Sequence, residues 1–452
     1  MGRDTQVQRL TEKLKQDTID LPIIDFHNHL QWKEILQQRK FENITQLWIR
    51  SDPYKHRLMR IMGVAERRIT GDSNDWEKFL SFCEVFPYLV GTPVYDWSLE
   101  ELRQVFDCDL LPSATNARQI WEWTNYKLQD EAFSADRIVM RFSPEYLAPC
   151  CSIVEDITAL QNSEVLAPSL RGDDISRPTR KFICELEQIS GKAIFDFNAY
   201  LEAVEIQIRN FHRAGCRFSD HALDSGFRYI PNDSCARNGF LRILDNKDIT
   251  DEQAQQLAST VLLHVSRLYA KYGWTIQLHI GALRTTSSRL RNLAGAAGGY
   301  SAIGMDYSLD DITRYLNDLE QLANGLPKII LYTLNPAHNA AFATLSGSFS
   351  TDGMQSVVCQ GPAWWWCDHK YGIRQMLDNY ASYSVLSTLV GMTTDSRSIL
   401  SVVRHRYFRD IACRWMSEKI VSGDFRCDLK IAKEILTAIF YQNAKKLIND
   451  VC

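Results

Sequence analysis

The chain has 452 residues, 45% hydrophobic and 23% charged, with Lys+Arg 51 against Asp+Glu 55 and a formal net charge of -4. This composition excludes disordered and fibrous classes and suits a globular protein of one large domain or two or three ordinary ones. The near-neutral balance offers no bulk attraction to nucleic acid or to an anionic membrane surface, so neither is expected as a partner.

The first twenty residues are polar throughout and lack the apolar centre of a secretory signal. Gln6 breaks the myristoylation pattern. No apolar run approaches the roughly 18 residues of a membrane span. Twelve cysteines include no Cys-x-x-Cys pair, and no Cys/His cluster has zinc-finger spacing. A reduced, cytoplasmic protein with mostly buried, free thiols is expected.

The first strand is predicted over 22–26. From about 33 to 148 the pattern reads almost entirely helical. Further strands are predicted over 152–156, 164–168, 215–219, 275–279, 328–334, 355–360 and 387–392. These runs are rich in Val, Ile and Leu without clean alternation, as in parallel strands buried on both faces. Amphipathic stretches lie between them. In 252–272, Leu257, Val261, Leu262, Val265, Leu268 and Tyr269 share one helical stripe. Eight strands alternating with helices predict an α/β fold, a (β/α)8 TIM-type barrel built from 1–32 and 149–452. Residues 33–148 would form a helical insertion after strand 1, packed on the C-terminal face where barrel active sites lie.

The strongest local signal is Ile23-Ile24-Asp25-Phe26-His27-Asn28-His29-Leu30. Residues i and i+2 of a strand face the same way. His27 and His29 would then point together into the barrel mouth, as a chelate for a metal; the alternative is two imidazoles that merely end a strand. His279 ends the fifth strand and Asp395 follows the eighth. The four residues make a 2-His-1-carboxylate centre with an extra imidazole, a set that leaves coordination positions open. One divalent cation is expected, with Zn2+ first and Mn2+ or Fe2+ also suited to these ligands. His221 would end the fourth strand and stands equally as a pocket residue or a structural one. His264, inside an apolar stripe, reads as core or helix surface. His212, His338, His369 and His405 carry no chemistry in this reading.

The first-strand His-x-His with a closing Asp resembles the amidohydrolase superfamily. Longer stretches resemble the uronate isomerase family: Asp52-Pro53-Tyr54-Lys55-His56-Arg57, Ser219-Asp220-His221-Ala222-Leu223, Leu278 to Arg284, Thr333-Leu334-Asn335-Pro336, Gly361-Pro362-Ala363-Trp364-Trp365-Trp366, and Val390 to Leu400 leading into Arg404-His405-Arg406. They run in the family's order over about 20–445. The chain departs from the family at Pro53, at His56, at Val154-Glu155-Asp156-Ile157 and at Thr285-Thr286-Ser287-Ser288, changes at pocket rims that bear on which sugar acid is preferred.

The resemblance implies an aldose–ketose isomerase for hexuronates. It would interconvert D-glucuronate and D-fructuronate, or D-galacturonate and D-tagaturonate, by proton transfer through a cis-enediol. His27, His29 and Asp395 would hold the metal. Asp395 would also be the base, Arg397 would stabilise oxyanion charge, Tyr54 would donate to the carbonyl oxygen, and His279 would complete the catalytic set. Arg171 matches the family's carboxylate-binding position, and Trp365 could stack on the sugar. The partner implied is a small-molecule uronate, with homo-oligomer formation left open. Two rivals share these residues: a metal-dependent hydrolase of the same superfamily, and a sugar-acid-binding homologue without catalysis.

Overall fold

The structure is a computed structural model that describes residues 2–323 and 325–449. Seven strands pair in sequence order, every neighbouring pair parallel: β1 (Ile23–Asn28), β2 (Pro144–Ser152), β3 (Ser169–Arg171), β4 (Phe218–Leu223), β5 (Thr275–Ile280), β6 (Ile329–Thr333) and β7 (Val358–Gln360). All six residues of β1, all six of β5 and all five of β6 are buried. Burial on both faces fits the unbroken apolar run Ile329–Leu331 of β6, whereas β5 alternates Thr275, Gln277 and His279 with Ile276, Leu278 and Ile280. The long helix between β4 and β5, Asp251–Lys271, opens with a capping box in which the Thr250 and Gln253 side chains satisfy each other's backbone N–H. Among the described residues no helix is long and apolar enough to cross a membrane.

The eighth stave of this (β/α)8 barrel is not a regular strand. The expected strand over 387–392 begins as a 3-10 turn, Leu386–Thr388. The chain then runs on beside β1, where Asp395 N donates to His27 O (3.0 Å) and His29 N donates to Ser396 O (2.9 Å). Side chains replace the missing ladder. The buried Asp25 carboxylate accepts from Thr394 N (2.9 Å), Thr394 Oγ1 (2.6 Å) and Thr393 Oγ1 (2.6 Å). Asp395 itself has φ 45°, a left-handed conformation that a continuous strand cannot contain.

Four other strand boundaries shift; the strand expected at 355–360 begins only at Val358. β2 covers Pro144–Ser152, so the expected strand at 152–156 is a turn and the helical insertion stops before Pro144 rather than at Ala148. Residues 164–168 hold only an isolated bridge, Leu147 with Leu166, and the strand itself is Ser169–Arg171. The expected strand at 215–219 lies three residues further on, at Phe218–Leu223.

The barrel interior is packed with Ile24, Phe26, Ala148, Phe218, Ile330, Tyr332 and Trp364. Outside the sheet, a continuous apolar cluster joins insertion residues such as Trp48, Phe79 and Phe82 to Leu170, Ile276 and Leu278 of the strands. The insertion therefore shares its core with the barrel. Its helix Pro53–Ile61 is started by Asp52, whose carboxylate accepts from Tyr54 N (2.9 Å) and Lys55 N (3.2 Å), with Pro53 in the first turn where no backbone donor is needed. A buried ion network anchors that helix. Lys55 Nζ donates to Asp52 Oδ2 (2.7 Å) and Glu101 Oε2 (3.0 Å), and Trp48 Nε1 also donates to Glu101.

Candidate active site

The C-terminal ends of the strands gather the chemistry. Asp395 Oδ1 lies 3.2 Å from His27 Nε2 and 3.0 Å from His29 Nε2. Its other oxygen accepts from Trp364 Nε1 at 2.6 Å. Phe26 and His27 both face the interior, with Phe26 5.9 Å from Phe218 and His27 4.4 Å from His279 between ring centroids. Consecutive residues can do this because the pairing of β1 with β2 changes register between Asp25 and Asn28, an irregularity that re-aims a side chain.

The electrostatics follow from burial and pairing. Burial opposes ionisation of Asp395, but the two imidazoles facing it hold its carboxyl well below the usual range. Burial takes His29 down to about 4, against the pull of Asp395. Burial also lowers His27, yet Asp395, with Asp220 and Asp25 behind it, raises that imidazole above its ordinary value overall. His279 is held well below the usual value by burial and by neighbouring His27, so it is a neutral ring at pH 7. It stacks on Tyr332 at 4.5 Å, and its Nε2 is buried with no partner.

This donor set fits a divalent cation. Metal–ligand bonds of about 2.0–2.2 Å place neighbouring ligand atoms about 3.0–3.5 Å apart. The separations between Asp395 Oδ1 and the two Nε2 atoms fall within that span. The orphaned Nε2 of His279 adds a free donor nearby, and His27, Asp220 and His279 bring their ligand atoms within 4.8 Å of one another.

The remaining expected residues divide. Tyr54 is buried between Trp97 and Trp366, at 5.5 and 5.6 Å, with the Arg404 guanidinium 5.4 Å from its ring. Burial raises its phenol well above 10, so it stays protonated. Arg397 is half-buried, and burial together with nearby Arg171 lowers it from its ordinary value. Arg171, at the end of β3, donates from Nε and Nη2 to Asp173 Oδ2, both at 3.2 Å. One edge of its guanidinium is therefore already occupied. Trp365, at φ 45°, lies 4.6 Å from Trp364, with the Arg284 guanidinium 5.0 Å from its ring.

His221 does not join the cluster. Its Nε2 is 3.2 Å from the Tyr269 hydroxyl, on the helix outside the sheet. A Cβ at residue 172 would come within 2.0 Å of its ring, which is why glycine stands there. With Arg171, Asp173, Asp224 and Arg284 it lines a small flank cavity of about 120 Å3. The residue of β4 that does face His27 is Asp220, which the sequence reading passed over. Burial raises its carboxyl, against the pull of His27 and Arg171. Cys150 of β2 was also missed: its Sγ is 3.4 Å from His27 Nδ1 and donates to Asp220 Oδ1 at 3.3 Å. Burial and the Asp220 charge push that thiol well above its ordinary value, so it keeps its proton. Placing β4 at Phe218–Leu223 would have brought Asp220 inward by two-residue alternation, and extending β2 back to Pro144 would have done the same for Cys150.

A family model described as glucuronate isomerase matches residues 5–448. A relative named uronate isomerase, from Geobacillus thermodenitrificans, is 36% identical over 441 residues, covering 94% of this chain and 93% of its own length. One of the same name from Caldanaerobacter subterraneus is 36% identical over 438 residues, covering 94% of each. The crystal structure of uronate isomerase from Thermotoga maritima is similar with a TM-score of 0.91 at 27% identity, over 99% of both chains. That of glucuronate isomerase from Caulobacter crescentus reaches 0.91 at 23% identity, over 99% of this chain and 95% of the other, and speaks for the fold.

Proposed function

The chain belongs to the glucuronate isomerase family, and on that footing we propose that it interconverts D-glucuronate with D-fructuronate, and D-galacturonate with D-tagaturonate. The reaction moves a proton between C2 and C1 through a cis-enediol, while the hydroxyl proton on O2 passes to O1. One observation carries the assignment of the site: a buried, ionised Asp395 carboxylate faces two imidazoles at 3.2 and 3.0 Å.

His27, His29 and Asp395 would hold the divalent cation, and Zn2+, Mn2+ and Fe2+ all suit such ligands. When bound, a cation of this kind supplies Lewis-acid polarisation of the sugar carbonyl and a template for its oxygens. Asp395 takes the C2 proton and returns it at C1, with its charge maintained at neutral pH by the surrounding donors. Arg397, two residues on, stabilises the oxyanion that develops as that proton leaves. Tyr54 keeps its proton and donates it in a hydrogen bond to the carbonyl oxygen. His279, neutral and with Nε2 free, bonds a sugar hydroxyl. Arg171 holds the C6 carboxylate through the guanidinium edge that Asp173 leaves open. Trp365 offers a ring face to the sugar C–H groups.

The test is direct. Protein loaded with a divalent metal is incubated with each aldehydo-uronate, and the ketose is followed by NMR, before and after chelation. Ketose formation that chelation abolishes is expected. Metal-loaded protein that converts neither uronate would refute the proposal.

A further inference from the structure

A neutral imidazole has one lone pair and one N–H. Without a cation, His27 Nε2 donates to the Asp395 Oδ1 carboxylate at 3.2 Å; once a cation is held there, the ring's lone pair is claimed at Nε2. The proton then belongs on Nδ1, and the atom waiting there is Cys150 Sγ at 3.4 Å. Sulfur accepts that proton only if its own hydrogen points elsewhere. Asp220 Oδ1, 3.3 Å away, takes it. Three strands thus contribute one relay: Asp220 of β4, Cys150 of β2 and His27 of β1.

We propose that Cys150 is a positioning residue for the cation site, fixing the tautomer and the rotation of the His27 ring through its link to Asp220. Metal-binding histidines are ordinarily oriented by a carboxylate, a carbonyl or a water on the second nitrogen. Here a thiol stands between the imidazole and the carboxylate, because Asp220 reaches Cys150 while Cys150 reaches the ring. Cys150 is not a ligand in this arrangement: its sulfur meets the ring at Nδ1, while Asp395 meets it at Nε2. Cys151, next in the chain, is turned away and bonds Pro149 O instead, so the two adjacent thiols have separate surroundings.

The experiment measures divalent-metal affinity by chelator competition in wild type, Cys150→Ala and Cys150→Ser. It also records the visible spectrum of each protein loaded with Co2+. Cys150→Ala is expected to bind metal about 10–100-fold more weakly and to shift the Co2+ ligand-field bands. Cys150→Ser, which keeps a donor and an acceptor, should stay within a few-fold of wild type. Equal losses in both variants would mean that only the sulfur's bulk matters and would overturn the relay. A sulfur-to-cobalt charge-transfer band in wild type, absent from Cys150→Ser, would make Cys150 a ligand and overturn the positioning role. The inference rests on His27 holding the cation. Wild type that binds no divalent metal overturns both readings, whereas tight binding untouched by Cys150→Ala overturns this one alone.

Discussion

Replacing Arg171 by Met should weaken the hold on the sugar acid while sparing a sugar without the acid. The substitution keeps the length and apolar stem of the side chain but removes the cation. Losing one partner of a desolvated charge pair costs about 2–5 kcal/mol. The lower part of that range applies here, because Asp173 already neutralises part of the Arg171 charge through two hydrogen bonds of 3.2 Å. A loss of about 2–3 kcal/mol corresponds to roughly 30–150-fold in affinity. The assay compares KM for D-glucuronate with the inhibition constant of D-glucose, which matches it from C1 to C5 and lacks the carboxylate. Only the first should move by that factor. Arg171→Lys, which keeps the charge without the planar fork, should fall between. A melting temperature within a few degrees of wild type guards against the Asp173 carboxylate, left without its cation, disturbing β3. If uronate and neutral aldose weaken by the same factor, Arg171 supports the strand end rather than the substrate.

Other perturbations probe different parts of the site. Asp395→Asn should fold, retain part of its metal and lose about 10²–10⁴-fold in turnover, the scale of a positioned base; near-normal turnover of the metal-loaded variant would remove Asp395 from proton transfer. Lys55→Met leaves Asp52 and Glu101 buried together without their cation and should cost about 3–5 kcal/mol in urea unfolding. Turnover should fall with it, since Tyr54 rides on the same helix, and a cost below about 1 kcal/mol would show that the network does not anchor it. His56 is pushed by burial down to about 4, so the unfolded chain gains a proton below pH 6.5 that the folded chain refuses. Stability should therefore decline as pH falls from 6.5 toward 4, with about 1.4 kcal/mol per pH unit from this group. His56→Gln should flatten the slope by that amount, and an unchanged slope would mean that other groups set the acid limit.

The sequence was most legible where apolar runs were short and sharply bounded. β1, β5 and β6 were read nearly in place, because each is a short run rich in Ile and Leu with clear polar bounds. β2 was illegible for a physical reason: Pro144, Pro149 and two cysteines give it little strand propensity, while Ile153 and Val154 beyond it imitate a strand. That slip hid Cys150. Ending the expected strand at Ser219 left Asp220 outside it, in the following loop, where no alternation pointed it inward. Asp395 was found from its position after the last apolar run, although that run never forms a ladder. Its left-handed backbone has no signature in an aspartate, a residue that tolerates αL without requiring it.

The Asp25 clamp has a consequence for how such a site can change. The carboxylate that fastens residues 393 and 394 sits two positions before His27, so one short stretch at and just past the end of β1 supplies both imidazoles and the grip on Asp395. Spacing among these three groups is thus a local property, carried along as a block when the rest of the barrel breathes. The groups proposed to meet the rest of the sugar hang on other parts: Arg171 on β3 and Trp365 on the loop after β7. Substitutions in those parts can reshape what enters without detuning what happens to it. A lineage built on this plan can exchange one sugar acid for another in small steps, each made on a scaffold whose reactive centre stays in register.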